Sequence, residues 1–269
     1  MKRKTLELLA CPNCRGELSL LEGGDSETIE TGTLVCAKCQ RQYPIQGGIP
    51  HFIKTEELGE LNRRFAKMYD RISPIYGGGA ALMYALVGHW QRKLRRQLLD
   101  RLAPFEGRVI EISIGTGVNL RYLFEYPGQY EIYGLDISLG QLRQCQSLIR
   151  KRRWAVDLFL GNAEELPFPD NSFDRVFHVG GINFFGDKKK AIEEMIRIAR
   201  PGTPIAIADE TEKLARSFYD PFPGFSREDQ GKKIAANAPI DLVPPAMQDV
   251  RLDILWKGMF YCLDFRKPA

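Results

Sequence analysis

The residues best suited to chemistry come early in the chain. Cys11-Pro-Asn-Cys14 and Cys36-Ala-Lys-Cys39 form two C-x2-C knuckles, while Cys145 and Cys262 are isolated. Each knuckle aims two thiolates at one point, and two knuckles supply the tetrahedral four-sulfur set that zinc prefers. Iron in a rubredoxin-like site and a redox dithiol pair are the alternatives for this spacing. Four protein ligands leave no open position, so zinc held here is structural. A second motif lies at 109–120, VIEISIGTGVNL, where an apolar run breaks into Gly115-Thr116-Gly117. Glycines permit a tight turn and close ligand approach, and a following helix start offers free N–H groups to an anion. The next apolar run ends at Asp136 in YGLDIS. A carboxylate there can accept hydrogen bonds from ribose hydroxyls. Nicotinamide and S-adenosylmethionine sites share both features, but the dinucleotide fingerprint wants a glycine where Leu120 stands.

Such groups need a scaffold to position them. The chain has 269 residues, 44% of them hydrophobic and 27% charged, enough for one sizeable core and a small module. The net charge of +4 is a weak signature for nucleic acid. No apolar run approaches the roughly 20 residues that span a bilayer, and no signal-type segment follows the basic start, so the expected location is cytoplasmic.

Three regions separate: 1–54 carries the cysteines, 55–105 reads as helical, and 106–269 alternates strands with helices. In the helical region Leu58, Leu61, Phe65 and Met68 keep helical spacing, as do Trp90, Leu94, Leu98 and Leu102. Gly77-Gly-Gly79 reads as a break between two helices. Strands are expected at 109–114, 132–135, 156–160, 175–179 and 204–208, with helices at 139–151 and 188–199. This alternation implies an α/β fold, a parallel sheet with helices on both faces. Runs at 250–256 and 259–265, around Lys257-Gly258, predict a closing antiparallel hairpin.

In this order and spacing, VIEISIGTG, YGLDIS, GNAEELPFPDNSFDRVF and EEMIRIARPGTPIAIAD make residues 106–269 resemble a class I S-adenosylmethionine-dependent methyltransferase. The resemblance is to the group that methylates quinone precursors and related small molecules. It implies a Rossmann-like seven-stranded sheet, mostly parallel with an antiparallel last strand. Glu111 then faces the cofactor's amino group, Gly115 and Gly117 form its loop, Asp136 grips its ribose and Ile137 packs on adenine. Asn162 and the Ala163 N–H meet the adenine edge, and His178 and Val179 lie near the methionine part. Tyr69, in MYDRISPIY, resembles a tyrosine that contacts the cofactor or closes the pocket; packing is the plain alternative.

Two departures stand out. Ser113 replaces the family's first glycine; as a residue still in the strand it needs no positive φ. Asn162 replaces an aspartate. The flanks of the cysteines, LLACPNCRGEL and YPIQGGIPHF, resemble the small zinc domain of the Trm112 type, here fused in cis.

Methyl transfer from a sulfonium chiefly requires positioning, and a base only if the acceptor loses a proton. No catalytic residue is therefore assigned. His178 and Asp209, with Glu210, are the candidates at strand ends; a hydrogen-bonded wall residue and a loop or helix cap are the structural alternatives. Tyr76 and Tyr84 line the acceptor pocket or pack in the helical core, and His89 reads as an ordinary helix residue. The 55–105 segment and the 211–247 insert, with Phe218, Tyr219, Phe222 and Phe225, would form an aromatic lid suited to a small apolar or aromatic acceptor. RNA or protein is the rival acceptor. It draws on Arg150-Lys-Arg-Arg153, on Arg92, Lys93, Arg95 and Arg96, and on the zinc module, although such runs are usually solvated helix faces. A cofactor-binding scaffold with little catalysis is the third reading. Oligomeric state is left open.

Overall fold

The computed structural model describes the backbone of residues 1–22, 26–218, 228–229, 232–233 and 236–269, and side chains among these except at 22, 72–91, 217–218, 228–229 and 232–233. The N-terminal module is an antiparallel sheet in the order β1 (Leu18–Glu22), β2 (Thr31–Cys36), β3 (Gln42–Gln46) and β4 (Ile49–Pro50). One long helix, α1 (Glu60–Leu99), follows. The remainder alternates as β5 (Gly107–Ile112), α2 (Leu120–Leu123), β6 (Tyr130–Asp136), α3 (Leu139–Arg152), β7 (Val156–Leu160), β8 (Arg175–Val179), α4 (Lys188–Ile198), β9 (Pro204–Glu210) and α5 (Glu212–Phe218). A two-residue pairing, β10 (Glu228–Asp229) with β11 (Lys232–Lys233), precedes the hairpin of β12 (Gln248–Leu255) and β13 (Phe260–Arg266).

The large sheet runs β12-β13-β9-β8-β5-β6-β7. Strands β5 to β9 are parallel, and β13 lies antiparallel to both β9 and β12. This is the expected Rossmann-like sheet with a reversed end. Parallel strands carry apolar side chains on both faces, and here each face has its own core. On one, Ile110, Ile112, Val176, Ile205 and Ile207 pack with α4 and the N-terminal module. On the other, Val109, Ile132, Phe177 and Ala206 pack with α2, α3 and the end of α1. Strand order reverses at β5, which lies between β6 and β8, so the crevice opens at the carboxyl ends of these strands.

The expected break at Gly77–Gly79 is absent: α1 is continuous through it. Each helical glycine costs about 1 kcal/mol relative to alanine, a handicap that flanking helix formers such as Ala80, Ala81, Leu82 and Met83 can outweigh. The start of α1 is tied across the carboxyl ends of the sheet. Asn62 Nδ2 donates to Glu164 Oε1 (2.8 Å), and Asn62 Oδ1 accepts from the Gly186 N–H (2.9 Å). Phe65 packs on Phe184 with ring centroids 4.4 Å apart.

The N-terminal module docks on the β7 edge of the large sheet. His51 forms a parallel bridge to Leu160, and the Phe52 N–H donates to the Leu160 carbonyl at 2.8 Å. The buried Asp157 on β7 accepts from the Lys2 N–H (3.0 Å) and the Thr5 hydroxyl (2.6 Å). Phe52 bridges the two units, with ring centroids 5.2 Å from Tyr43 and 6.5 Å from Phe159. Burying such a ring stabilises by roughly 1.5–3 kcal/mol. The module thus shares a core with the sheet.

Candidate functional site

The glycine turn begins as β5 ends. Ser113 has φ 59°, Gly115 56° and Gly117 77°. The expectation that Ser113 keeps strand geometry is therefore overturned: it has already left β5 and occupies the left-handed region, where a β-carbon costs about 1–2 kcal/mol. Gly117 cannot be replaced without cost. A β-carbon there would lie 2.7 Å from Cys145 Sγ on α3, and the positive φ adds strain.

Asp136, at the end of β6, holds this turn. Its Oδ2 accepts from the Gly115 N–H (2.8 Å) and its Oδ1 from the Ser138 N–H (2.9 Å). Burial pushes its carboxyl up to about 6, against the backbone N–H groups that favour the charged form. Glu111 is buried one residue before the end of β5. Its Oε1 accepts from Asn119 Nδ2 at 2.5 Å, and Asn119 Oδ1 in turn accepts from Arg95 of α1. Glu111 Oε2 is buried without a hydrogen-bond partner. Burial raises this carboxyl to about 8; the Asn119 bond and Arg95 oppose the rise, and Asp136 adds to it.

Ile137 and Val179 are half-buried and Ala163 is buried. Asn162 Oδ1 accepts from the Glu164 N–H at 3.1 Å, closing a local turn that leaves one carbonyl lone pair. Tyr69 is half-buried on α1. Its neighbour Asp70, which sequence reasoning passed over, reaches farther. Asp70 Oδ1 accepts from the Ser138 hydroxyl (2.6 Å) and the Gly140 N–H (2.8 Å), pinning α1 to the loop after β6.

His178 is fully buried, and its Nδ1 lies 3.0 Å from the Ile112 carbonyl. A carbonyl only accepts, so Nδ1 carries the proton and Nε2, which has no partner, presents a bare lone pair. Burial lowers its pKa to about 4, so the ring is neutral. Asp209 spends both oxygens on the adjoining loops: Oδ2 accepts from the Gly181 (3.1 Å) and Asn183 (3.2 Å) N–H groups, and Oδ1 from the Glu210 N–H (2.8 Å). Glu210 is half-buried at the end of β9. A pocket of about 70 Å3 lies beside the ends of β8 and β9. Leu94, Leu98, Val179, Ala208, Trp256 and Phe260 line it, with Arg95 in its wall. Phe218, Tyr76, Tyr84 and His89 lie on helices with side chains outside the described set; Tyr219, Phe222 and Phe225 lie outside the described residues altogether.

The four clustered cysteines converge as expected. The Sγ atoms of Cys11, Cys14, Cys36 and Cys39 lie within 4.8 Å of one another, with Cys11–Cys39 at 3.6 Å and Cys14–Cys36 at 3.4 Å. Tetrahedral zinc–sulfur bonds of about 2.3 Å require sulfurs about 3.8 Å apart, so this donor set fits such an ion.

Several arginines of the basic clusters are engaged internally. Arg92 and Arg96 pair with Glu125, and Arg150 with Glu30. Among the described residues no helix is long and apolar enough to cross a membrane.

Comparison with known proteins agrees with this geometry. Residues 110–207 match the methyltransferase domain family, and residues 2–48 match the Trm112p-like protein family. A demethylmenaquinone methyltransferase of Renibacterium salmoninarum is 32% identical over 145 residues, 54% of this chain and 57% of that protein. The ubiquinone/menaquinone biosynthesis C-methyltransferase UbiE of Geotalea daltonii is 28% identical over 160 residues, 57% of this chain and 66% of that one. The chain thus spans less than two thirds of either relative. Among solved structures, the [4+2]-cyclase SpnF aligns with TM-score 0.60 at 16% identity, covering 78% of this chain and 98% of that one. A complex of the Haloferax volcanii Trm112 methyltransferase activator with a putative methyltransferase gives TM-score 0.54 at 18% identity, covering 75% and 98%. These two likenesses concern the fold alone. The sequence matches give residues 110–207 the methyltransferase domain family, in which the glycine turn and the β5–β6 crevice lie, and residues 2–48 the Trm112p-like family.

Proposed function

We propose that the chain binds S-adenosylmethionine across the carboxyl ends of β5 and β6 and methylates a small apolar or aromatic acceptor. The observation that carries the binding reading is the unpartnered, buried Glu111 Oε2 behind the Gly115–Gly117 turn, with Asp136 at the end of the adjacent strand. A buried carboxylate oxygen lacking a donor suits a cationic ligand group. Glu111 would face the amino group, Asp136 the ribose, and Ile137, Asn162 and Ala163 the adenine. Ser113 and Tyr69 would border the cofactor, with His178 and Val179 near its methionine part. When bound, the sulfonium supplies an activated methyl group.

The chain's contribution is then positioning. His178, neutral and walled in, orients the end of β8, and Asp209 holds the loop beyond it. Neither is needed as a base unless the acceptor must lose a proton. The apolar pocket beside β8 and β9 admits an alkyl group or a ring edge, which supports an apolar acceptor, as do the relatives named as quinone methyltransferases. The four thiolates would hold zinc as a structural ion that contributes to folding of the small module.

Calorimetry with S-adenosylhomocysteine tests the site. Wild type should bind, and Asp136→Ala should bind at least tenfold more weakly while remaining folded by circular dichroism. Unchanged affinity refutes the assignment. The rival RNA reading is favoured by the Trm112-type domain. It requires an affinity for RNA that falls steeply with salt.

A further inference from the structure

Strand β12 forms one edge of the large sheet. It pairs with β13 on one side, and among the described residues no strand pairs with its other side. An unpaired edge of this length is a ready template for another strand, and proteins usually blunt it with charge, proline or a bulge. Here a bulge is present but sits at the beginning. The register shifts between Gln248 and Arg251, and Asp249 has φ 53°. From 251 to 255 every residue has a regular partner on β13.

The same stretch leaves apolar side chains in water. Ile254 is 59% exposed and alternates onto one face with the half-buried Leu252, while Val250, 43% exposed, lies inside the bulge. Arg251 and Asp253 alternate onto the other face, with side chains 56% and 43% exposed. The order Val-Arg-Leu-Asp-Ile is self-complementary when two copies run antiparallel. With Leu252 opposite Leu252, each Arg251 faces the second copy's Asp253. A shift that placed Arg251 opposite Arg251 would set like charges against each other, so charge selects the Leu252-centred register. The edge charges that would ordinarily repel a stranger here match a second copy of the same strand.

We propose that the chain forms a two-fold symmetric dimer by antiparallel pairing of β12 with β12 of a second copy, joining two seven-stranded sheets into one. The interface lies at the opposite end of the sheet from β7 and the N-terminal module. It does not depend on the cofactor reading.

Sedimentation equilibrium of the full chain, with folding checked by circular dichroism, tests it. Wild type should show a concentration-dependent monomer–dimer equilibrium. Arg251→Asp turns two symmetric attractions into two repulsions and should raise the dimer dissociation constant about tenfold or more. Asp253→Arg should do the same. An equal mixture of these two variants places opposite charges across the strand pair twice and should recover the wild-type dissociation constant as a heterodimer. Because Asp253 also meets Arg101, Ile254→Lys provides a second disruption at a solvent-facing position. A wild type that stays monomeric at its highest soluble concentration overturns the proposal. So does a dimer indifferent to both Arg251→Asp and Ile254→Lys, or a mixture of folded variants that fails to re-associate.

Discussion

Replacing Glu111 by glutamine tests how the crevice is built. Glu111 is 1% exposed, has one oxygen without a partner and lies near Asp136. Its carboxyl is raised from 4.5 to about 8 in the fold. Between these values the folded chain holds a proton that the unfolded chain has lost, so stability falls as pH rises from 4.5 through 8. At 1.36 kcal/mol per pKa unit, the wild-type penalty is about 3 kcal/mol at pH 7 and about 5 kcal/mol above pH 8. Glu111→Gln does not titrate, so it escapes this slope; any cost of burying the amide is an offset that does not vary with pH. Urea unfolding without cofactor should therefore show the variant gaining about 3–5 kcal/mol on wild type between pH 5 and pH 8. Titrating groups that do not interact with Glu111 cancel in the comparison; Asp136, whose charge adds to the rise at Glu111, does not. Parallel pH profiles would refute the buried, protonated carboxyl. A linked result is expected for binding. A cationic ligand group beside Glu111 should expel its proton, so calorimetric heats of S-adenosylmethionine binding near pH 7 should vary with the buffer's ionisation enthalpy.

Three further perturbations follow from the geometry. Ser113→Gly relieves a left-handed residue and should stabilise the chain by about 0.5–1 kcal/mol in thermal unfolding, without loss of cofactor affinity; a lower melting temperature would show that the serine side chain supports the turn. Asp157→Ala removes the acceptor shared by the Lys2 N–H and the Thr5 hydroxyl. It should cost about 2–3 kcal/mol and speed amide exchange at residues 2–8, and unchanged exchange there would exclude this anchor. Wild type should carry one metal ion per chain, and Cys36→Ser should lose it and unfold the small module, measured as metal content and as loss of protection in β1 to β3; metal held at full stoichiometry by the variant rules out the four-sulfur site.

Much of the architecture was legible because it is written in local pattern. Five apolar runs separated by helical periodicity announced the parallel strands, and Lys257-Gly258 between two strand-like runs announced the hairpin. The cysteine spacing announced the sulfur cluster. What escaped depends on long-range contact. Asn119 and Arg95 belong to the site only because α1 lies beside the start of α2, and Arg95 read in sequence as one member of a solvated basic run. Asp70 is a surface aspartate by sequence and a clamp on Ser138 and Gly140 in the fold. The continuity of α1 was hidden because three glycines dominate a local reading, and the backbone of Ser113 because the strand stops two residues earlier than its apolar run suggests.

The parallel seating of residues 51 and 52 against Leu160 has a consequence for stoichiometry. A separate subunit must be present above its dissociation constant to occupy such an edge. Tethered through the few residues between Phe52 and α1, the same surface meets its target at an effective concentration in the millimolar range, whatever the abundance of the chain. Every copy therefore carries its own edge cover in a one-to-one ratio, and dilution, which would strip a separate subunit from such an edge, leaves this one covered.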